Sequence, residues 1–238
     1  MHPALVAIAP GSPVEETQET FEALLSHVRR RLQGVSVQVA YDEHEERSFA
    51  GVMAASRRPV VVLPLLLAQD ERVDGLANRV RAYPRPARIA RPLGPHPLVA
   101  ATMCQRLQAS GARRGDAVVM MAGPTNDADG LADSMTAGRL LQAHWGAPVR
   151  VAHLSGAGRR VTDAVDSLWA EGHRRIAAIS YFLAGGPGVS KARAQATVAG
   201  CSTIADELGN HPLLVELAIR RYLAAASGRP RTIARAVA

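Results

Sequence analysis

The chain has 238 residues, 47% hydrophobic, 4% aromatic and 21% charged, with a formal net charge of +7 at pH 7. That length admits one large domain or two ordinary ones with ample core material, and no apolar run approaches the roughly 18–20 residues that cross a bilayer. The positive excess is almost wholly arginine, Lys191 being the one lysine; it fits base composition or a polyanionic ligand held by guanidinium forks, while dispersed basic residues, few aromatics and no recognised motif argue against nucleic acid.

Met1 to Ala9 is apolar without a basic leader and reads as a first strand, centred on Leu5 to Ala9, rather than a signal peptide. Ser12-Pro13-Val14-Glu15 has the form of a capping box with proline at the first helical position. The helix it opens carries Val14, Phe21, Leu24, Leu25, Val28 and Leu32 on one face. Val35 to Tyr41 is the next strand, Ser48 to Ser56 a helix and Pro59 to Leu63 a strongly β-branched strand. Asp70 to Ala82 is helical, a short strand lies near Ala87 to Ala90, and Pro97 opens the helix carrying Leu98, Met103 and Leu107. After a polar joint at Ser110 to Gly115 the order recurs. Strands are expected at Ala117 to Met121, Val149 to His153 and Ile176 to Tyr181. Helices are expected at Leu131 to Trp145, Arg159 to Glu171, Val189 to Ala199 and Pro212 to Ala226, with Gly146, Gly172 and Gly200 as stops for the first three. The tail from about Ser227 is expected to fray.

The recurrence is visible in the residues themselves. Leu93-Gly94-Pro95-His96-Pro97 returns 115 residues later as Leu208-Gly209-Asn210-His211-Pro212, and Pro64 to Ala68 returns 116 residues later as Ser180 to Ala184. Ala9-Pro10-Gly11 returns loosely, 113 residues later, as Ala122-Gly123-Pro124. A near-constant offset implies two similar lobes, 1–113 and 114–238. Alternating β and α units imply parallel sheets in each. Two lobes in one chain can form a cleft without a second chain, so a monomer is possible. With two cysteines, Cys104 and Cys201, there is no disulfide framework, and a cytoplasmic location is the default.

Taken in order, Ile8 to Ser12, Tyr41 to Glu43, Ser48, Pro64 to Ala68 and Leu93 to Pro97 resemble the sirohydrochlorin chelatases, the class II chelatases that include the sirohydrochlorin cobaltochelatases. Tyr181 to Ala184, Ala192 to Ala196 and Leu208 to Pro212 match more weakly, and the resemblance covers nearly the whole chain. It implies two flavodoxin-like α/β lobes facing each other across a cleft. It also implies insertion of Fe2+ or Co2+, a substrate rather than a bound cofactor, into sirohydrochlorin or a related polycarboxylate tetrapyrrole on the siroheme or cobalamin route. The family carries a histidine just before the Gly-Ser of the first strand and another after the Leu-Leu-Leu-Ala segment. This chain has Pro10 and Arg72 there, neither of which offers a lone pair. The equivalent region of the second lobe has Gly123 and Gly188.

The resemblance leaves Glu43 as the candidate catalytic carboxylate and metal ligand, with His44 beside it as a substitute ligand. On a regular strand those neighbours face opposite sides, an objection that a strand end relaxes. Pro10, Gly11, Ser12 and Arg72 are the candidate substrate-binding residues: Ser12 by its place at a helix N-terminus, Arg72 as a partner for ring carboxylates. Each has a plain structural alternative, namely a solvated acid for Glu43, a surface residue for His44, an N-cap for Ser12 and an exposed first-turn arginine for Arg72. His96 and His211 repeat symmetrically, which suits a shared task such as fixing the turn before a helix. His153 ends the strand equivalent to the one before Glu43 and faces the cleft in principle. Imidazole suits Fe2+ and Co2+, so loss of both family histidines predicts weak metal binding but a retained ring cleft. Binding and bending the ring would then do the work. The competing readings are a non-catalytic tetrapyrrole-binding homologue and a structural partner of another enzyme.

Overall fold

The computed structural model describes residues 2–10, 15–41, 48–68 and 71–228, the side chains at 71 and 72 excepted. In the first half β1 (Ala4–Ala9), α1 (Glu15–Arg31), β2 (Val37–Tyr41), α2 (Phe49–Ala55), β3 (Val60–Pro64), α3 (Glu71–Arg81), β4 (Ala87–Ile89) and α4 (Pro97–Ala109) alternate. The second half repeats the order with β5 (Ala117–Ala122), α5 (Ala128–Trp145), β6 (Val149–His153), α6 (Val161–Ala170), β7 (Ile176–Ser180), α7 (Pro187–Val198), β8 (Thr203–Ala205) and α8 (Pro212–Ala226). All strand pairs are parallel, and the two sheets have the same order, β2-β1-β3-β4 and β6-β5-β7-β8. The expected two-lobe parallel α/β fold is therefore present. No helix among the described residues is long and apolar enough to cross a membrane.

Local chemistry explains most element boundaries. The central strands β1 and β5 are buried at all six positions, as strands covered on both faces must be. Ser48 caps α2 by accepting from Gly51 N, and Gly146 ends α5 in the left-handed region at φ 83°. Helix α5 starts three residues earlier than its apolar period suggests, because Asp127 accepts from Gly130 N and sets the cap. Strand β8 has no strand signature of its own; three residues beside β7 suffice for an edge strand. The expected capping box at Ser12 lies outside the described residues; of the tail expected to fray from about Ser227, Ser227 caps α8 and the residues beyond Gly228 lie outside the described ones.

The helices are distributed in a way the chain order hides. Leu5, Ala7 and Ala9 point into one apolar cluster and Val6 and Ile8 into another, as the two-residue period of a strand requires. The outer face of the first sheet is covered by Phe49 and Met53 of α2 and Leu76 and Val80 of α3. The outer face of the second sheet is covered by α6 and α7 through Val161, Leu168, Ala192 and Ala196. Both inner faces share one core built from α1, α4, α5 and α8. Within it α8, from the second half, packs on β3, β4 and α1 of the first, and α4, from the first half, packs on β7, β8 and α5 of the second. Each lobe thus lends its last helix to the other.

Lobe two is pinned at the amino end of its sheet by Asp116. Its carboxylate accepts from Arg113 N at 2.9 Å and from Arg175 Nε and Nη2 at 3.0 and 3.3 Å, while its carbonyl accepts from Trp145 Nε1 at 2.8 Å. Burial alone would raise its pKa, but the bonds from Arg175 and Arg113 outweigh burial and hold it below the usual carboxylate range. A folded pKa below the unfolded one adds stability above the unfolded value, and that stability disappears as pH falls through the folded value. Asp116→Asn is expected to cost about 1–3 kcal/mol at neutral pH. The gap from wild type, measured by urea unfolding, should narrow below about pH 4.

Candidate functional site

The carboxyl ends of both sheets open on a common cleft of about 850 Å³. It lies where α/β sheets place ligands, at the point where strand order reverses between β1 and β3 and between β5 and β7. Pro10 and Leu65 to Ala68 bring the ends of β1 and β3 to one wall, with Phe21 of α1 behind them. Ala122 to Asp127, His153, Ser155 and Tyr181 to Leu183 bring the ends of β5, β6 and β7 to the other, joined by Gly130 and Ser134 of α5. The walls differ in character. Among the described residues lobe one contributes apolar groups, and lobe two contributes hydroxyl, amide and imidazole groups alongside Phe182 and Tyr181.

The lobes are latched at the cleft floor. Tyr181, after β7, donates its hydroxyl to the Leu67 carbonyl, after β3, at 2.8 Å. Burial first, and the charge of Asp133 second, push the ionisation of Tyr181 far upward, so the phenol stays neutral and donating. Gly94 packs so closely here that a Cβ would overlap both the Leu67 carbonyl and the Tyr181 hydroxyl. At the rim, Thr17 of α1 donates to the Gly185 carbonyl at 2.9 Å, tying the glycine-rich loop of lobe two to lobe one.

His153 ends β6 and is buried in the cleft wall. Ser134 Oγ lies 2.7 Å from the Gly130 carbonyl, to which it donates, and 3.0 Å from His153 Nε2, from which it accepts. That network assigns the ring proton to Nε2 and leaves Nδ1 with a bare lone pair. Among the described residues Nδ1 has no partner, and Gly158 sits against it so tightly that a Cβ would overlap the ring. Burial lowers the pKa of His153. The imidazole is a neutral wall group whose spare nitrogen is sealed from the cleft.

Of the candidates read from the sequence, Pro10 is placed in the cleft wall, half-buried. Gly11, Ser12, Glu43 and His44 lie outside the described residues, and Arg72 is the second residue of α3 with its side chain outside them. Sheet register relates the lobes: Ala9 pairs with Tyr41 and Ala122 with His153. Counting two residues on along the sequence sets Ser155 against Glu43, a hydroxyl against a carboxylate. Among the described residues no group of three or more His, Cys, Asp or Glu is arranged to hold a metal ion. His96 and His211 both fix turns: their Nδ1 atoms accept from Leu98 N at 3.1 Å and Leu213 N at 3.2 Å, capping α4 and α8. Sequence reasoning missed Thr125, Asn126 and Ser134 as cleft residues; the run Thr125-Asn126-Asp127 before a helix was the available signal for the first two.

The CbiX family model matches residues 4–110 and again residues 118–225. No curated protein matches the chain. Among solved structures, SirB from Bacillus subtilis with Fe3+ aligns at a TM-score of 0.78 and 20% identity, covering 95% of this chain and 96% of that one. The sirohydrochlorin chelatase SirB from Bacillus subtilis subspecies spizizenii in complex with cobalt aligns at 0.72 and 17%, covering 96% and 97%. CbiX, described as the terminal enzyme for biosynthesis of siroheme in denitrifying bacteria, aligns at 0.69 and 17%, covering 93% and 99%. At those identities the neighbours establish the fold, and the family model, matched across both halves, establishes membership: the chain belongs to the CbiX family.

Proposed function

We propose that this protein is a sirohydrochlorin chelatase-like enzyme that binds a polycarboxylate tetrapyrrole between its lobes and promotes insertion of Fe2+ or Co2+. The observation that carries the reading is the interlobe cleft itself, in a chain of this family. Its volume suits an organic ligand of this class, for which sites run about 300–1,000 Å³. An apolar wall at Pro10, Leu65 and Phe21 suits the face of a flat macrocycle, and the opposite wall at Thr125, Asn126 and Ser155 offers hydrogen bonds to its edge. In this reading Glu43, with His44 beside it, hands over the metal and accepts a ring proton, Gly11 and Ser12 bind a ring carboxylate, and Arg72 pairs with another. Catalysis rests on holding the ring bent towards the incoming ion rather than on a tight metal site.

A second reading, ring binding without catalysis, is favoured by Pro10. Its side chain stands in the cleft wall where the resembling family places an imidazole, and it has no electron pair to give a metal.

Titration of the purified protein with sirohydrochlorin, followed by absorbance with and without Fe2+ or Co2+, decides between them. The enzyme reading expects saturable ring binding without metal and insertion faster than in a protein-free blank. Ring binding with insertion at the blank rate selects the carrier, and absence of ring binding overturns both. Arg72→Ala is expected to weaken ring binding about 10-fold or more, roughly 1.4 kcal/mol. Calorimetry with Co2+ alone should show weak binding in the wild type and a clear gain in the double variant Pro10→His, Arg72→His.

A further inference from the structure

The two lobes invite a comparison of equivalent positions, and one pair of sites breaks the symmetry. Each site is built around the histidine that caps an exchanged helix, His96 for α4 and His211 for α8. In both, Nδ1 accepts from the helix backbone, so the proton of the neutral ring is on Nε2, facing away from the helix end. Around His211 that proton is satisfied: Nε2 donates to Gln105 Oε1 of α4 at 2.8 Å. The neighbouring Arg106 is satisfied too, donating from Nε and Nη2 to the Leu208 carbonyl at 3.3 and 2.9 Å. Asp206 supplies an acid nearby in the chain and pairs with Arg193.

Shifting by the repeat of 115 residues gives the counterparts around His96. Gln105 becomes Arg220, Arg106 becomes Arg221 and Asp206 becomes Arg91. An acceptor and an acid have become cations. Among the described residues His96 Nε2 has no acceptor, Arg91 has no ion pair, and the Nε of half-buried Arg221 is buried with no hydrogen-bond partner. Burial and the charge of Arg91 lower the pKa of Arg221 to about 10, and burial followed by Arg221, Arg220 and Arg91 lowers that of His96. The geometry agrees: α8, which carries Arg220 and Arg221, packs on α4, which His96 caps, and on β4, which ends two residues before Arg91. Among the described residues the carboxylate paired with Arg220 is Glu216, at 2.8 Å, and it is already shared with Arg31 at 2.6 Å. Arg91 and Arg220 are exposed and Arg221 is half-buried with its Nε unpartnered among the described residues; a partly buried cation without a partner is costly, and guanidinium forks match the paired oxygens of carboxylate and phosphate.

We propose that Arg91, His96, Arg220 and Arg221 form an oxyanion-binding site, separate from the cleft lining, that takes a carboxylate- or phosphate-bearing ligand. His96 Nε2–H supplies a directional donor, and Arg91 and Arg221 supply the charge. Helix exchange creates the site, since Arg220 and Arg221 come from the second half of the chain and Arg91 and His96 from the first. The inference does not depend on what the cleft binds.

The test uses the full chain at low ionic strength, titrated separately with inorganic phosphate, citrate and, as control, chloride at matched ionic strength. Binding is read by calorimetry and by the NMR signals of the His96 ring. Saturable binding of phosphate or citrate that raises the His96 pKa supports the site, and which of the two binds identifies the ligand as phosphoryl- or carboxylate-bearing. Arg91→Ala, at an exposed position, should weaken that binding about 10-fold or more. Arg220→Gln, which rebuilds the lobe-two arrangement, should weaken it likewise while holding the anion-free melting temperature at or above the wild-type value. A response to chloride equal to that of the oxyanions, no response to either oxyanion, or unchanged affinity in Arg91→Ala would overturn the proposal.

Discussion

The structure depends on a swap of cover. A parallel sheet built from runs such as Ala4–Ala9 and Ala117–Ala122 has two apolar faces and needs helices on both. In each half, two helices close the outer face, and the inner face is closed by one helix of its own and one borrowed from the other half. Neither half can bury its inner face completely without the last helix of its partner. The exchange fuses the inner cores, and it holds the strand ends facing each other so that a cleft exists between them. The Tyr181–Leu67 bond is the same constraint seen at the cleft floor, where Gly94 allows backbone and phenol to meet.

On that symmetric frame the chemistry is arranged asymmetrically. In the cleft, the described part of lobe one offers an apolar wall and lobe two a polar one. At the exchanged-helix caps the polarity runs the other way: lobe two satisfies its histidine and arginine internally, whereas lobe one gathers cations around His96. Duplicated halves need keep in common only what the fold requires, which here is strand burial, the two histidine caps and the glycines at tight turns. The remaining positions are free to diverge, and functional residues are best sought where the counterparts disagree. Pro10 against Gly123, Glu43 against Ser155 and Arg220 against Gln105 are such disagreements. His96 and His211 agree, and the structure gives them the same capping task.

Much of the fold was legible in the chain. Apolar and β-branched runs marked seven of the eight strands, and helical apolar spacing with stops at Gly146, Gly172 and Gly200 marked the helices. These signals are local: a residue's period states which face is apolar, and a positive-φ glycine or a capping side chain acts within a few residues. Strand β8 was not legible because an edge strand of three residues is made by its neighbour β7, not by its own composition. The repeat at 115 residues also carried the lobe count and the shared strand order, since like sequences fold alike.

What the chain could not specify was which surface covers which. The inner faces of the two sheets are alike, so periodicity cannot say whether α4 or α8 closes the first; only packing chooses, and it chooses the helix more distant in sequence. His153 shows the same limit, for the strand end placed it at the cleft but Ser134 and Gly158 decided that its spare nitrogen is sealed. Arg220 and Arg221 read in sequence as two more arginines on a helix face, and they acquire a meaning only beside His96 and Arg91, more than a hundred residues away in the chain. Sequence determined the elements because their causes are local; tertiary structure decided the site because charge, burial and lone-pair access are set by whatever the fold brings alongside.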